Sequence, residues 1–243
     1  MAEPESPAEP DEPGPTEWTA AGPPDGAAAV GVGPHPHPWP DDPRLDQELL
    51  THGDRRNVVD RYRYWRREAI VADLDTRRHP FEVAIENFSH DMNIGTVIRT
   101  ANAFAARRVH IVGRRRWNRR GAMVTDRYQH LEHHPDVARL RDAADAAGLV
   151  IVAVDNLPGA RPLETTTLPR NVLLLFGAES TGLTPAAREA AVATVSIAQF
   201  GSTRSINAGV AAGIAMHAWI RQHADLAAGS GAVVEPGDNN RSG

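Results

Sequence analysis

The sequence predicts an α/β fold, a mainly parallel sheet with helices on both faces. Three observations carry that expectation. Between residues 81 and 222, short runs rich in Val, Ile and Leu alternate with helical patterns, the order from which parallel sheets are built. The run NVLLLF (171–176) is apolar throughout, as a strand covered on both faces must be. Three segments, NFSHDMNIGTVIRTANAF (87–104), LLLFGAESTGL (173–183) and SIAQFGSTRSINAGVAAGI (196–214), each pass from an apolar strand through a polar, glycine-containing loop into a helix. That connection gathers ligand-binding groups at the carboxyl ends of strands.

Taken in order, residues 1–43 are dominated by Pro, Gly, Ala and Glu without periodicity, and predict a disordered acidic tail. Residues 44–76 form a helical extension: Val58, Tyr62, Trp65 and Ile70 are spaced for one or two helices, interrupted near Gly53. Arg61, Arg63, Arg66 and Arg67 in that stretch face either RNA or solvent. The main domain is expected over 77–225. It opens with strand FEVAIEN (81–87), a helix over 94–106 and strand VHIVG (109–113). After an arginine-rich loop come a helix over 136–147, strand LVIVAVD (149–155) and NVLLLF. Thr184 followed by Pro185 marks a helix start, an N-cap residue with proline at the first helical position. Strand TVSIA (194–198) and a long helix over 206–222 finish the pattern, and 226–243 read as a second disordered tail.

The chain has 243 residues, 41% hydrophobic and 23% charged, enough for one domain with a sizeable core. No run approaches the roughly 18 apolar residues of a membrane span, and the acidic start lacks the marks of a signal peptide, so a cytoplasmic location is expected and no membrane partner. Cysteine is absent, which excludes disulfides, thiolate chemistry and cysteine-rich metal sites. His130, His133 and His134 follow no metal-site template, and no metal is expected. The net charge of −5 hides a polarised chain: residues 54–120 carry 16 arginines against 8 acidic residues, and all 26 basic residues are arginine. An arginine-rich centre suits a phosphate backbone, although a GC-rich coding sequence also explains the absence of lysine.

Within the first segment, Asn93 stands at the start of a helix, where an N-cap is reason enough for it. Arg99 lies among apolar Val97, Ile98, Ala101 and Phe104, and a guanidinium beside a core helix ordinarily has an anionic partner. The second segment turns at Gly177 and brings Glu179 to the end of a buried strand, where it pairs with Arg99, binds a ribose hydroxyl or satisfies loop amides. Gly182 suits a tight turn. In the third, Ser205 is the expected N-cap and Asn207 falls in the first turn, where free amides attract polar ligands. Ala208, Gly209, Ala211, Ala212 and Gly213 leave that helix nearly bare, so another backbone or a flat ligand must approach closely.

The spacing of Asn93 and Arg99, the strand-Gly-x-Glu of the second segment and the Ser-x-Asn of the third resemble the three signature motifs of the SpoU/TrmH family of RNA ribose 2′-O-methyltransferases over roughly residues 81–220. The resemblance implies a SPOUT fold with a carboxyl-terminal trefoil knot and S-adenosylmethionine as cofactor. It implies backbone contacts to that cofactor around Gly177, Ile197 and Ile206, with Leu175, Gln199 and Asn207 in the same set. The implied catalytic set is Asn93, Arg99, Glu179, Ser205 and Asn207. A homodimer whose active site draws on both chains is implied as well.

Family proposals make the arginine the base, aided by an RNA phosphate, which a guanidinium pKa above about 12 makes demanding. An equally physical role is for Arg99 to clamp the phosphate while Glu179, Ser205 and Asn207 orient the reactants. The run IAQFGSTRSIN departs from the family's usual Pro-Met before the glycine and Leu between Ser and Asn. Gln199, Phe200 and Arg204 resemble variants in some tRNA guanosine 2′-O-methylating members, which tilts the expected RNA partner towards tRNA over rRNA. Only residues 44–76 are available for an added RNA-binding domain, fewer than the roughly 50 a small domain needs. RNA contacts are therefore expected from that extension and from GRRRWNRRG (113–121): Arg114, Arg115, Arg116, Arg119 and Arg120, with Trp117 stacking on a base. Two rivals remain. An ordinary nucleotide-binding α/β enzyme needs a glycine-rich turn after the first core strand, and only Gly95 stands there. A non-catalytic RNA-binding protein could keep the fold, but all five implied catalytic positions hold suitable side chains.

Overall fold

A computed structural model of the chain describes residues 31–87, 93–178 and 182–225, apart from the side chain of Arg120. Among these residues a 7-stranded sheet forms the centre. Its strands are β1 (Glu82–Asn87), β2 (Val109–Gly113), β3 (Leu131–His134), β4 (Val150–Val154), β5 (Arg161–Pro162), β6 (Val172–Phe176) and β7 (Ala193–Ser196). They lie in the order β3-β2-β1-β6-β4-β7-β5, and every pairing is parallel.

Helices cover both faces because the strands alternate two apolar sets. Val83 and Ile85 of β1 and Leu174 and Phe176 of β6 face α3 (Asn93–Ala103) and α6 (Ala208–His223), meeting Ile94, Val97, Ile98, Ala212, Met216 and Trp219. Ala84, Leu173, Leu175 and Ala153 point the other way, against Val137, Leu140 and Ala144 of α4 (Val137–Ala146) and Ala187 of α5 (Pro185–Ala190). Leu173, Leu174 and Leu175 are all fully buried, which is why NVLLLF shows no polar alternation. α5 begins as its sequence predicts, with Thr184 capping and proline in the first turn.

The amino-terminal part differs from expectation in two ways. Residues 31–43, placed in the acidic tail on composition, are folded against the extension. Val32 and Asp54 exchange backbone hydrogen bonds of 2.9 Å, and the Tyr64 hydroxyl donates to the Gly33 carbonyl at 2.6 Å. The extension holds α1 (Gln47–His52) and α2 (Arg67–Asp75), but the stretch between them, which carries three of the four spaced apolar residues, has only a single 3-10 turn at Asp60–Tyr62. The reason is Asp54. Its buried carboxylate accepts the backbone N–H groups of Arg56 (3.0 Å) and Tyr64 (3.0 Å) and the Arg56 guanidinium (2.7 Å), giving the backbone an alternative to the helix. Tyr62, Trp65 and Val58 still pack with Ile70 and Tyr128. Arg63 donates to the Arg56 carbonyl at 2.7 Å, so it is a structural group rather than an RNA-facing one.

β3 and β5 were not expected from sequence. Both lie at sheet edges, where LEHH and a two-residue strand ending in proline lack the apolar runs by which inner strands are recognised. Among the described residues no helix is long and apolar enough to cross a membrane.

Candidate active site

β6 lies between β1 and β4, so the chain's direction of travel across the sheet reverses there, the position at which open α/β sheets form ligand clefts. A cleft of about 410 Å³ opens beyond the carboxyl ends of β4 and β6. Val154, Asp155 and Asn156 line it from β4, Phe176, Gly177 and Ala178 from β6, Ile197 and Gln199 from the segment after β7, and Ser205, Ile206, Asn207 and Ala208 from the approach to α6.

Backbone contacts fix this shape. At Gly177 a Cβ would lie 2.2 Å from the Gly182 carbonyl carbon and 2.3 Å from the Leu183 nitrogen, so no side chain fits where the loop closes on itself. The return is held by a Gly182 N–H donating to the Ala178 carbonyl at 2.8 Å. Two carboxylates fasten the next residues. Buried Glu86 on β1 accepts from Thr184 N–H (2.9 Å) and the Thr184 hydroxyl (2.6 Å), and Asp155 accepts from Leu183 N–H at 3.2 Å. Asn156 donates to the Arg204 carbonyl at 3.0 Å, tying the third loop to the end of β4. Sequence reasoning missed Glu86, Asp155 and Asn156. Glu86 had a readable signal, a carboxylate within an otherwise apolar strand.

Gly177, Ile197, Gln199, Ser205, Ile206 and Asn207 all line the cleft. Leu175 does not: it is fully buried in the layer against α4 and α5. Ser205 was the expected N-cap of α6, but Asn207 caps it, accepting from Gly209 N–H at 2.9 Å and Val210 N–H at 3.2 Å. Ser205 stands on the exposed rim instead. Asn93, buried at the start of α3, accepts a 2.9 Å hydrogen bond from Asn207 Nδ2. Glu179 and the 88–92 part of the first motif lie outside the described residues.

Arg99 was expected beside an anion in the core. It is exposed on α3, does not line the cleft, and has no ion pair among the described residues. The Gln199 side-chain oxygen is buried with no hydrogen-bond partner among those residues, an acceptor in the cleft wall awaiting a donor.

The arginine loop is held beside α3. Asn87 Nδ2 donates to the Arg114 and Arg116 carbonyls at 2.6 and 3.0 Å. Gly95 lets the following turn approach, since a Cβ there would lie 2.6 Å from the Ala122 nitrogen. Arg114, Arg115, Arg116 and Arg119 are exposed. Trp117 is not the open platform expected from sequence: it packs partly buried on the core, with the Arg119 guanidinium 5.6 Å from its ring centre.

The family model described as the SpoU rRNA Methylase family matches residues 80–217. Over 192 residues the chain is 31% identical to a Mycolicibacterium smegmatis protein named an uncharacterized tRNA/rRNA methyltransferase, a match covering 74% of this chain and 60% of that protein. A tRNA (guanosine(18)-2′-O)-methyltransferase of Borreliella burgdorferi is 26% identical over 147 residues, 59% of this chain and 67% of that one. Among solved structures, the SpoU methyltransferase AviRb of Streptomyces viridochromogenes, in complex with the cofactor AdoMet, superposes with a TM-score of 0.54 at 28% identity, covering 62% of this chain and 60% of AviRb. The chain thus spans about 60% of the length of its Mycolicibacterium relative and of AviRb. With residues 80–217 of its 243 matched by the family model, the chain belongs to the SpoU rRNA methylase family.

Proposed function

We propose that the chain transfers a methyl group from S-adenosylmethionine to a ribose 2′-hydroxyl of RNA, with tRNA favoured over rRNA. The observation that carries this reading is the cleft at the ends of β4 and β6, with its side-chain-free turn at Gly177 and its Gln199 acceptor, unpartnered among the described residues, in a chain of this family. Gly177, Ile197, Gln199, Ile206 and Asn207 would hold the cofactor, whose sulfonium supplies an electrophilic methyl carbon when bound.

The protein's own part is alignment and proton handling. Ser205 on the rim and Asn207, fixed through Asn93, present polar groups where a ribose would enter. Arg99 stands apart from its own cleft, and this favours a phosphate clamp, or service to the cleft of a second chain, over proton removal by a guanidinium whose pKa exceeds about 12. Glu179 completes the set as an orienting carboxylate.

The chain acts as a homodimer in this reading. Val210 and Ile214, four residues apart on α6, are 53% and 39% exposed, an apolar stripe on the helix that flanks the cleft. The carboxyl-terminal part forms the trefoil knot of the SPOUT class, and the enzyme works on RNA in the cytoplasm. The exposed arginines 114–116 supply the electrostatic footprint. The bias towards tRNA rests on Gln199, Phe200 and Arg204 and on the likeness to the Borreliella tRNA enzyme.

The test is incubation of purified protein with labelled S-adenosylmethionine and separate unmodified tRNA and rRNA pools, then nucleoside analysis. A 2′-O-methylated nucleoside from tRNA is the expected product, and one from rRNA alone would move the substrate. Cofactor binding without transfer to either pool would favour a non-catalytic RNA-binding protein of the same fold.

A further inference from the structure

We propose that His110, Glu132 and His134 form a binding site for a divalent transition-metal ion of the zinc class, separate from the cleft. The three residues come from β2 and the edge strand β3, where His110 lies opposite Glu132 in the register and His134 two residues further on the same face. His110 Nδ1 and His134 Nε2 are 2.8 Å apart, and a Glu132 carboxylate oxygen lies 3.7 Å from His134 Nε2. One ligand atom from each residue falls within 4.8 Å of the other two. Two imidazoles and a carboxylate, with the fourth position left to water, are a donor set that zinc accepts at about 2.0–2.2 Å from each atom.

The outer partners make this more than a cluster of polar groups. Glu82 on β1 accepts from His110 Nε2–H at 2.5 Å, which leaves Nδ1 as the lone pair directed at the proposed ion. Arg107 holds the other Glu82 oxygen at 2.5 Å. Arg108 engages one Glu132 oxygen at 2.6 Å and leaves the other towards His134. A metal-ligating histidine whose remaining N–H is bound by a carboxylate is oriented and made more basic by it.

Access also fits. The two histidine side chains are 3% and 6% exposed, whereas that of Glu132 is 39% exposed, so an ion enters from the sheet edge past Glu132. Binding requires that His134 move its proton to Nδ1, that the two ring nitrogens part from 2.8 Å to the roughly 3.3 Å that tetrahedral ligation at about 2.0–2.1 Å sets, and that Glu132 rotate inwards. Of the three histidines that stand close in sequence, only His134 takes part. His130 bonds Asp75 at 2.8 Å and His133 bonds the Gly113 carbonyl at 2.7 Å.

The test is equilibrium dialysis of the chelator-treated full chain against Zn²⁺, with Co²⁺ as an absorption probe. One ion per chain and a visible Co²⁺ band are expected. Glu132→Gln should weaken Zn²⁺ binding by at least the roughly 10-fold that loss of an outer partner costs, His134→Gln should abolish it, and the double variant His130→Gln/His133→Gln should bind as the parent does. Absence of stoichiometric binding by the parent, or full binding by His134→Gln, overturns the proposal. Should His134→Gln fail to fold, Glu132→Gln at the accessible edge decides, and unchanged affinity there is equally fatal. No arm depends on methyl transfer.

Discussion

Asn207 Nδ2 donates a 2.9 Å hydrogen bond to Asn93 Oδ1, joining the first residue of α3 to the cap of α6 across 114 residues of sequence. The same Asn207 side chain accepts two backbone N–H groups of α6 through its oxygen. Its orientation is therefore set from both ends. Removing it in Asn207→Ala should cost about 1–2 kcal/mol for the lost cap, read as a lower thermal midpoint, and weaken cofactor binding. Asn207→Asp keeps an acceptor for the cap but loses the donor to Asn93. It should melt close to the parent while losing turnover, and equal loss of stability in both variants would reduce the Asn93 contact to packing.

Arg99 offers a cleaner separation of roles. Because it is exposed and outside the cleft, Arg99→Lys should leave the melting curve and S-adenosylmethionine affinity unchanged while transfer to RNA falls to near background. Near-normal turnover would remove Arg99 from the mechanism.

Gln199 presents a buried acceptor with no partner among the described residues. Gln199→Ala should not destabilise the free protein, since the group it removes is unsatisfied there. A single hydrogen bond of about 0.5–1.5 kcal/mol predicts a roughly 2- to 10-fold weaker S-adenosylmethionine Kd, measurable by calorimetry. An unchanged Kd would mean that the ligand does not reach this wall of the cleft.

The exposed arginines 114–116 should act through phosphate contacts alone. Replacing all three by Gln should weaken binding to every RNA alike and reduce the slope of log affinity against log salt by about 2–3. Loss confined to one RNA would instead mean base reading.

Asp54 supplies a pH signature. Burial would raise its carboxyl, but hydrogen bonds from the Arg56 side chain and from the Arg56 and Tyr64 backbones hold it below the ordinary value of 3.8. Its folded pKa is the depressed one, so its contribution is complete above pH 3.8 and disappears as pH falls through the folded value. Denaturant titrations should show a steeper loss of stability below about pH 4 in the parent than in Asp54→Asn, which should itself be destabilised by about 3–5 kcal/mol at neutral pH.

What the sequence made legible was whatever has a local pattern. NVLLLF, VHIVG and the Thr184–Pro185 helix start were readable because burial on two faces and a proline-tolerant first turn each leave a mark within a few residues. The cap of α6 was misplaced by two residues because Ser205 and Asn207 are both good caps, and only the bond to distant Asn93 distinguishes them. Composition hid the folded state of residues 31–43, which depend on a backbone bridge to Asp54. Trp117 looked available because its flanking arginines read as a solvated loop, whereas its ring packs on the core. His110 and His134 meet only through the register of β2 with β3, and β3 itself carried no strand pattern.

The edges of the sheet have a consequence for how copies of this protein can meet. At one edge β5 is two residues long and ends in Pro162, which has no N–H to offer an incoming strand. At the other, β3 carries Glu132 and two histidines along only four residues. Among the described residues neither edge is a template for a further strand, which disfavours extension of the sheet from chain to chain. A contact between copies is thereby left to helices and loops rather than to strands of this sheet.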